Sequence, residues 1–269
     1  MTTTTDSASQ YTFDNATPEA ARQVRLLAEI LDGHSIDVLA RAGVAAGWRC
    51  LDLGAGAGSI STWLADRVGP DGRVLALDTD PRHIGQHERL ELRAVDVTEA
   101  DFGTDEYDLI HARLLLMHLP QRREILRRMV RALRPGGLLV LSDWDCTQTE
   151  SMLVRSSPEA TEAFSAFQAA LLTLGAANGA SATWAGEAPL AMLDAGLVDV
   201  ESEVHNRLWT GGEAGCLLHA SNSRQLEAVL LKFGVTAKQL TVLREAMEDP
   251  ETFAWSYPMV TTVGRRVDS

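Results

Sequence analysis

Hydrophobic and polar positions along this chain fall into two alternating rhythms. Short apolar runs stand at 49–53, 73–77, 90–95, 105–110 and 138–141, each of the length and composition of a buried strand. Between them, apolar side chains return at helical spacing, as in Trp63, Leu64 and Val68 after Ser59, and again over 121–133 before Pro135-Gly136-Gly137. Gly69-Pro70-Asp71-Gly72 reads as a turn. Strands alternating with helices in this way predict an α/β fold built on a parallel sheet.

The flanks follow other patterns. Residues 11–47 predict two helices: Thr17 is a candidate N-cap ahead of Pro18, Gly33 closes the first, and a second runs over 35–42. Beyond about residue 150 the reading gives a helix at 158–174, a loop at 175–181 and a helix at 188–193. A strand at 197–204 and helical stretches at 213–233 and 235–247 follow. The last strand is placed at 259–263, because Pro258 cannot donate to a ladder. Residues 1–10 are rich in Thr and Ser and lack a basic start with an apolar stretch, so they read as a disordered tail and not a signal peptide.

Composition narrows the function. The chain has 269 residues, of which 45% are hydrophobic, enough for one large core, and no apolar run reaches the roughly 20 residues of a membrane span. A net charge of −13 argues against a nucleic-acid partner. The basic segment from Arg122 to Arg134 reads as a solvated helix face. Three cysteines without a C-x-x-C pair fit free thiols in a reducing cytoplasm, and no H-x-x-x-H or clustered acid set suggests a metal. A small-molecule partner is expected.

The candidate chemistry centres on R-C-L-D-L-G-A-G-A-G-S-I-S at 49–61. Gly54, Gly56 and Gly58 permit positive φ and let a ligand lie against bare main chain, and the helix after them offers free N–H groups. Asp52 can accept from a ligand ammonium or brace the turn. A dinucleotide fingerprint would need G-x-G-x-x-G, but its third glycine falls on Ser59 or Ser61, so an NAD enzyme is the weakest alternative. Asp78, at the end of the second strand, is placed to accept from both ribose hydroxyls, and Asp80 ahead of Pro81 reads as a cap. Asp96-Val97 and His111-Ala112-Arg113 stand at the ends of strands three and four, where open α/β sheets bind ligands.

The succession D-x-G-x-G-x-G, Asp78, Asp96, H-A-R-L-L-L-M-H-L-P and L-R-P-G-G-L-L-V over 48–145 resembles the class I S-adenosylmethionine-dependent methyltransferases of the bacterial small-molecule type. The resemblance implies a Rossmann-like, seven-stranded, mostly parallel sheet with helices on both faces and an antiparallel last strand. A helical cap over 11–47 and helical insertions near 151–180 and 212–248 would roof the acceptor. It implies S-adenosylmethionine as cofactor, held by Asp52, Gly54, Ala55, Gly56, Gly58, Asp78, Thr79, Asp96, Val97, His111, Ala112 and Arg113, with Tyr11 as a lid. D-A-G-L-V-D-V-E-S-E at 194–203 resembles the helix end and sixth strand of that fold.

Methyl transfer is a displacement in which alignment matters most, and a base helps only when the acceptor atom must lose a proton. His118, Asp143 and Asp145 are the expected base candidates; His111 and His118 each have the competing reading of a structural hydrogen bond. Trp144, Trp184, Trp209, His219 and Tyr257 are either core or walls of an acceptor site, which would suit a flat, apolar molecule of specialised metabolism or could attract a cationic one. Transfer to O, N or C stays open, as does monomer or homodimer. A non-transfer use of the same cofactor, such as a cyclase, or a cofactor-sensing module, is the alternative.

Overall fold

The computed structural model describes residues 18–268. The 1–10 tail, the Tyr11 lid and the Thr17 cap lie outside them. Helix α1 (Pro18–Arg41) leads into β1 (Arg49–Leu53), α2 (Ser59–Arg67), β2 (Arg73–Asp78) and β3 (Leu90–Ala94). Next come β4 (Tyr107–Arg113), α3 (Arg122–Ala132), β5 (Leu133–Trp144), β6 (Leu153–Arg155), α4 (Pro158–Ala177) and α5 (Trp184–Asp194). The chain ends through β7 (Leu197–His205), β8 (Leu208–Thr210), α6 (Ala214–Gln225), α7 (Glu227–Lys232), α8 (Ala237–Glu248), β9 (Phe253–Trp255) and β10 (Met259–Arg266).

Seven strands form the main sheet in the order β3-β2-β1-β4-β5-β10-β7, parallel except that β10 runs antiparallel to both neighbours. This is the Rossmann-like arrangement expected from the sequence. The order runs outward from β1 in both directions, so a crevice opens at the carboxyl ends of β1 and β4. Leu51, Leu53, Leu109 and Ile110 on these central strands are fully buried, as parallel strands covered on both faces require. Leu39, Leu64 and Val68 close one face, and a larger apolar cluster joins the other face to the helices of the C-terminal half. Each such side chain contributes roughly 1.5–3 kcal/mol by leaving water.

Four expectations change. The two N-terminal helices are one 24-residue helix, α1. Gly33 is exposed in its interior, while Leu31, Ser35, Val38 and Leu39 continue one buried stripe across it. Burial of that stripe outweighs the roughly 1 kcal/mol that a mid-helix glycine costs. Strand β4 runs on through Arg113, so His111 and Ala112 lie within the sheet and not past its edge. Strand β5 begins at Leu133, because Leu133 pairs with Tyr107 before a register shift carries the ladder on from Leu138. The expected helix at 213–233 breaks at Leu226 into α6 and α7.

Helices α4, α6 and α8 pack on one another, and α1 lies against α6 over the carboxyl ends of the sheet. Gln23 donates from α1 to Asn222 of α6 at 2.9 Å, both side chains buried. A small three-stranded sheet, β6-β9-β8, was not foreseen and carries Trp209 and Trp255.

Candidate functional site

At the end of β1 the backbone turns through three glycines with φ of 69, 56 and 74°, at Gly54, Gly56 and Gly58. A side chain at Gly58 would collide with Ile84, so both conformation and space exclude one there. Gly54 N–H donates to the Leu77 carbonyl at 2.8 Å, and Gly56 N–H donates to Asp78 Oδ2 at 2.8 Å. Gly58 caps α2 without a side-chain acceptor, which leaves the first N–H groups of that helix turned toward the crevice. Beneath the turn, Asp52 accepts from Ser61 Oγ at 2.5 Å and stands 2.7 Å from His111 Nδ1. Asp52, His111 and Ala112 are buried and do not border the cavity above the turn, and Asp52 braces the turn through Ser61 and His111.

Above the turn lies a cavity of about 420 Å³, bordered by Gly54, Ala55 and Gly56, by Asp78, Thr79, Asp96 and Val97 at the strand ends, and by Val24, Leu27 and Ala28 of α1. Asp78 spends one acceptor site on Gly56 and one on the Asp80 N–H at 2.9 Å, out of about four on a carboxylate. Both Asp80 oxygens are taken by Arg82, at 2.6 Å each. Asp96 binds Thr98 through Oδ1, at 2.8 Å to its N–H and 2.7 Å to its hydroxyl. Arg113 borders the cavity, but its guanidinium donates to Ser35 Oγ and Asp32 Oδ1 of α1, each at 2.9 Å. It therefore fastens the roof helix to β4.

A second cavity, of about 140 Å³, opens between α1, α4 and α6. Leu27, Leu114 and His118 border both cavities and mark their junction. Leu114 holds φ at 51°, in the left-handed region that a leucine rarely adopts, with its N–H donating to the Ser142 carbonyl at 2.8 Å. Strain of order 1–3 kcal/mol held at a ligand cavity is a mark of functional sites.

The expected catalytic residues separate. His118 sits at the junction on the 3-10 turn Leu116–His118, where burial and then the Arg122 charge lower its pKa to about 4. Asp143 lies behind that turn and borders neither cavity. Burial raises its pKa to about 7 against the pull of the Met117 amide, the Trp184 indole N–H and the Leu115 amide. No bond of ordinary geometry reaches Asp143 Oδ1 or Trp184 Nε1, so the Trp184 pull is an electrostatic contact and not a closed hydrogen bond. Asp145 accepts from the N–H and hydroxyl of Thr147, at 2.9 and 2.6 Å, and borders neither cavity.

Among the expected acceptor residues, Trp144 and Tyr257 form one wall of the second cavity, their rings 4.9 Å apart and tilted by 33°. Trp184 is fully buried under the Arg122 and Arg123 guanidinium groups, which lie 6.0 and 5.8 Å from its ring. His219 is fully buried against the rings of Phe164, Tyr257 and Trp209, and burial lowers its pKa to about 4. Trp209 packs beside it. These three line the core and not the cavity. The lining residues that sequence reasoning missed come from α1 and α4, such as Leu27, Leu171 and Leu172. Only the L-L-L-M-H run pointed toward Leu114.

Residues 51–141 match the methyltransferase domain family. The match covers the strands that carry the glycine turn, Asp78 and Asp96. This segment, about a third of the chain, is similar to the methyltransferase domains of the class I S-adenosylmethionine-dependent enzymes. The chain is 30% identical over 132 residues to methyltransferase GfsG of Streptomyces halstedii, covering 42% of this chain and 48% of that one. It is 36% identical over 109 residues to trans-aconitate 2-methyltransferase of Methylobacterium nodulans, covering 39% and 42%. The chain thus spans less than half the length of the curated relatives it matches. In fold it is similar to Haemonchus contortus phosphoethanolamine N-methyltransferase 2 in complex with S-adenosyl-L-methionine, with a TM-score of 0.56 at 14% identity over 94% of this chain and 59% of that one.

S-adenosylmethionine is the cofactor of this class, and the residues present fit it. Positive φ at Gly54 and Gly56 presents bare main chain to the cavity, and Asp78 retains acceptor capacity for a ribose diol. Among the described residues, no group of His, Cys, Asp and Glu side chains could hold a metal, and no helix is long and apolar enough to cross a membrane.

Proposed function

We propose that the protein transfers a methyl group from S-adenosylmethionine to a small organic acceptor in the second cavity. The observation that carries this reading is the junction: Leu27, Leu114 and His118 face both cavities, so a ligand in one lies beside a ligand in the other. The cofactor supplies an electrophilic methyl group on a sulfonium. The chain's residues bind, align and dehydrate. Asp78 and the glycine turn hold the ribose and the amino-acid end, and Asp96 with Val97 faces the adenine. Helix α1, fastened through Arg113 and Gln23, covers both ligands. Such alignment can contribute roughly 7–11 kcal/mol.

His118 is the assisting base in this reading, because a base must first be within reach of the proton it takes and only then matched in pKa. Its lowered pKa keeps it neutral and able to accept at physiological pH. Asp143 acts from behind as the group that positions the 116–118 turn. The acceptor is a small molecule with planar character, suited to the Trp144–Tyr257 wall, of the kind found in specialised metabolism. The net charge of −13 supports a small molecule over a nucleic acid.

Production of S-adenosylhomocysteine, followed over a panel of small planar acceptors, tests the proposal. We expect His118→Ala to lower kcat by about 10²–10⁴-fold with little change in KM for the cofactor. For the parent, the rate should lose its base only as pH falls toward 4, where His118 takes up its proton. A rate that instead falls through pH 7, with Asp143→Asn inactive and His118→Ala active, would transfer the base role to Asp143.

A further inference from the structure

We propose that the second cavity selects an uncharged, ring-sized acceptor and rejects carboxylates, phosphates and ammonium ions. This inference rests on the methyl-transfer reading and adds the chemical class of its acceptor. Among the described residues, the lining contains no Asp, Glu, Lys or Arg. Besides His118, the assisting base, two of the polar side chains there are engaged with other protein groups: Gln23 donates to Asn222 at 2.9 Å, and the Tyr257 hydroxyl donates to Gln168 at 2.7 Å.

The nearest cations are committed elsewhere. Arg122 donates to the Leu116 carbonyl at 3.1 Å and to the Gly179 carbonyl, while Arg113 is fastened to α1. A carboxylate or ammonium seated between Leu171, Leu172 and the Trp144–Tyr257 wall would lose its water and gain no oppositely charged side chain, a cost that buried charges escape only by pairing. An uncharged ring meets no such cost, and it gains edge and face contacts with the two aromatic rings. The size agrees, since an apolar cavity near 150 Å³ accommodates benzene, and this one measures about 140 Å³. A larger acceptor would insert its reacting ring and leave the remainder at the mouth near Ala176 and Ala180.

The cavity therefore differs from any site that takes trans-aconitate, the acceptor in the name of one relative, since a tricarboxylate requires cations. The experiment is equilibrium binding to the protein saturated with S-adenosylhomocysteine, read by ligand-observed NMR and competition calorimetry. Phenol, benzoate, benzylammonium and trans-aconitate serve as probes, with Ala180→Trp and Ala182→Phe as variants that fill the cavity.

We expect phenol to bind, the three charged probes to bind on the order of 100-fold more weakly, and each filling variant to lose phenol while keeping S-adenosylhomocysteine. Phenol failing to bind at millimolar concentration overturns the proposal. So does benzoate, benzylammonium or trans-aconitate binding as tightly, or phenol retained by both variants. Absence of S-adenosylhomocysteine binding is a separate result, and it removes the methyl-transfer reading together with this one.

Discussion

The two cavities meet at three side chains yet are built by different means. The larger one is made from main chain and strand ends: a glycine turn, Asp78, Asp96 and the α2 N-terminus, all within one continuous parallel sheet. The smaller one is made from side chains of α1, α4, α6 and the chain after β5, brought together over separations of up to about two hundred residues, as in the Gln23–Asn222 bond. One is lined by acids and bare amides, the other by leucine, alanine and aromatic rings. Main-chain geometry and strand-end acids define the first cavity, whereas apolar side-chain packing defines the second.

The difference can be broken hardest at Gly58. Valine there must hold φ near 74° and displace Ile84. We expect Gly58→Val to destabilise the fold by about 3 kcal/mol or more, from left-handed backbone and overpacking together. Affinity for S-adenosylhomocysteine should fall at least about tenfold. Leu171→Ala, in the other cavity, should change that affinity by less than about 0.5 kcal/mol, because distant sites act independently. Chemical denaturation with calorimetry measures both. Equal losses from the two substitutions would erase the distinction between the cavities.

The same contrast explains what could be read from the sequence. The sheet and its glycine turn were legible because strand-turn-helix patterns are local, and topology then forces Asp78 and Asp96 to the same edge. Where tertiary packing overrode local signals, the reading failed: Gly33 looked like a stop, but the buried stripe through Val38 and Leu39 carries α1 past it. Trp184, Trp209 and His219 were placed among the acceptor walls because an aromatic residue does not announce whether it faces a cavity or the core. Asp145 looked equivalent to Asp143, and only the structure shows that Thr147 occupies it. The left-handed Leu114 leaves no trace in composition at all.

A smaller effect is expected on the acceptor side, at Asp143. Burial raises its folded-state pKa from 3.8 to about 7, so the folded state holds this proton more tightly than the unfolded chain does. The sign follows: the group imposes no penalty below pH 3.8, and it destabilises the fold increasingly as pH rises through 7. Asp143→Asn should therefore stabilise the protein by about 1–3 kcal/mol at pH 8 and have little effect near pH 4, while removing the decline in between. Urea melts across that range give the answer. A parent protein whose stability is flat from pH 4 to 8 would show that Asp143 is not held in this environment.

The account rests on the larger cavity being an adenosyl-sulfonium site organised by Asp78. Calorimetric titration of S-adenosylhomocysteine and NAD into the parent and into Asp78→Ala tests that claim most directly. We expect the parent to bind S-adenosylhomocysteine and not NAD, and Asp78→Ala to lose about 1.5–3 kcal/mol of that affinity, the value of hydrogen bonds to a charged acceptor. Tight NAD binding, or an affinity for S-adenosylhomocysteine unchanged by Asp78→Ala, would contradict it.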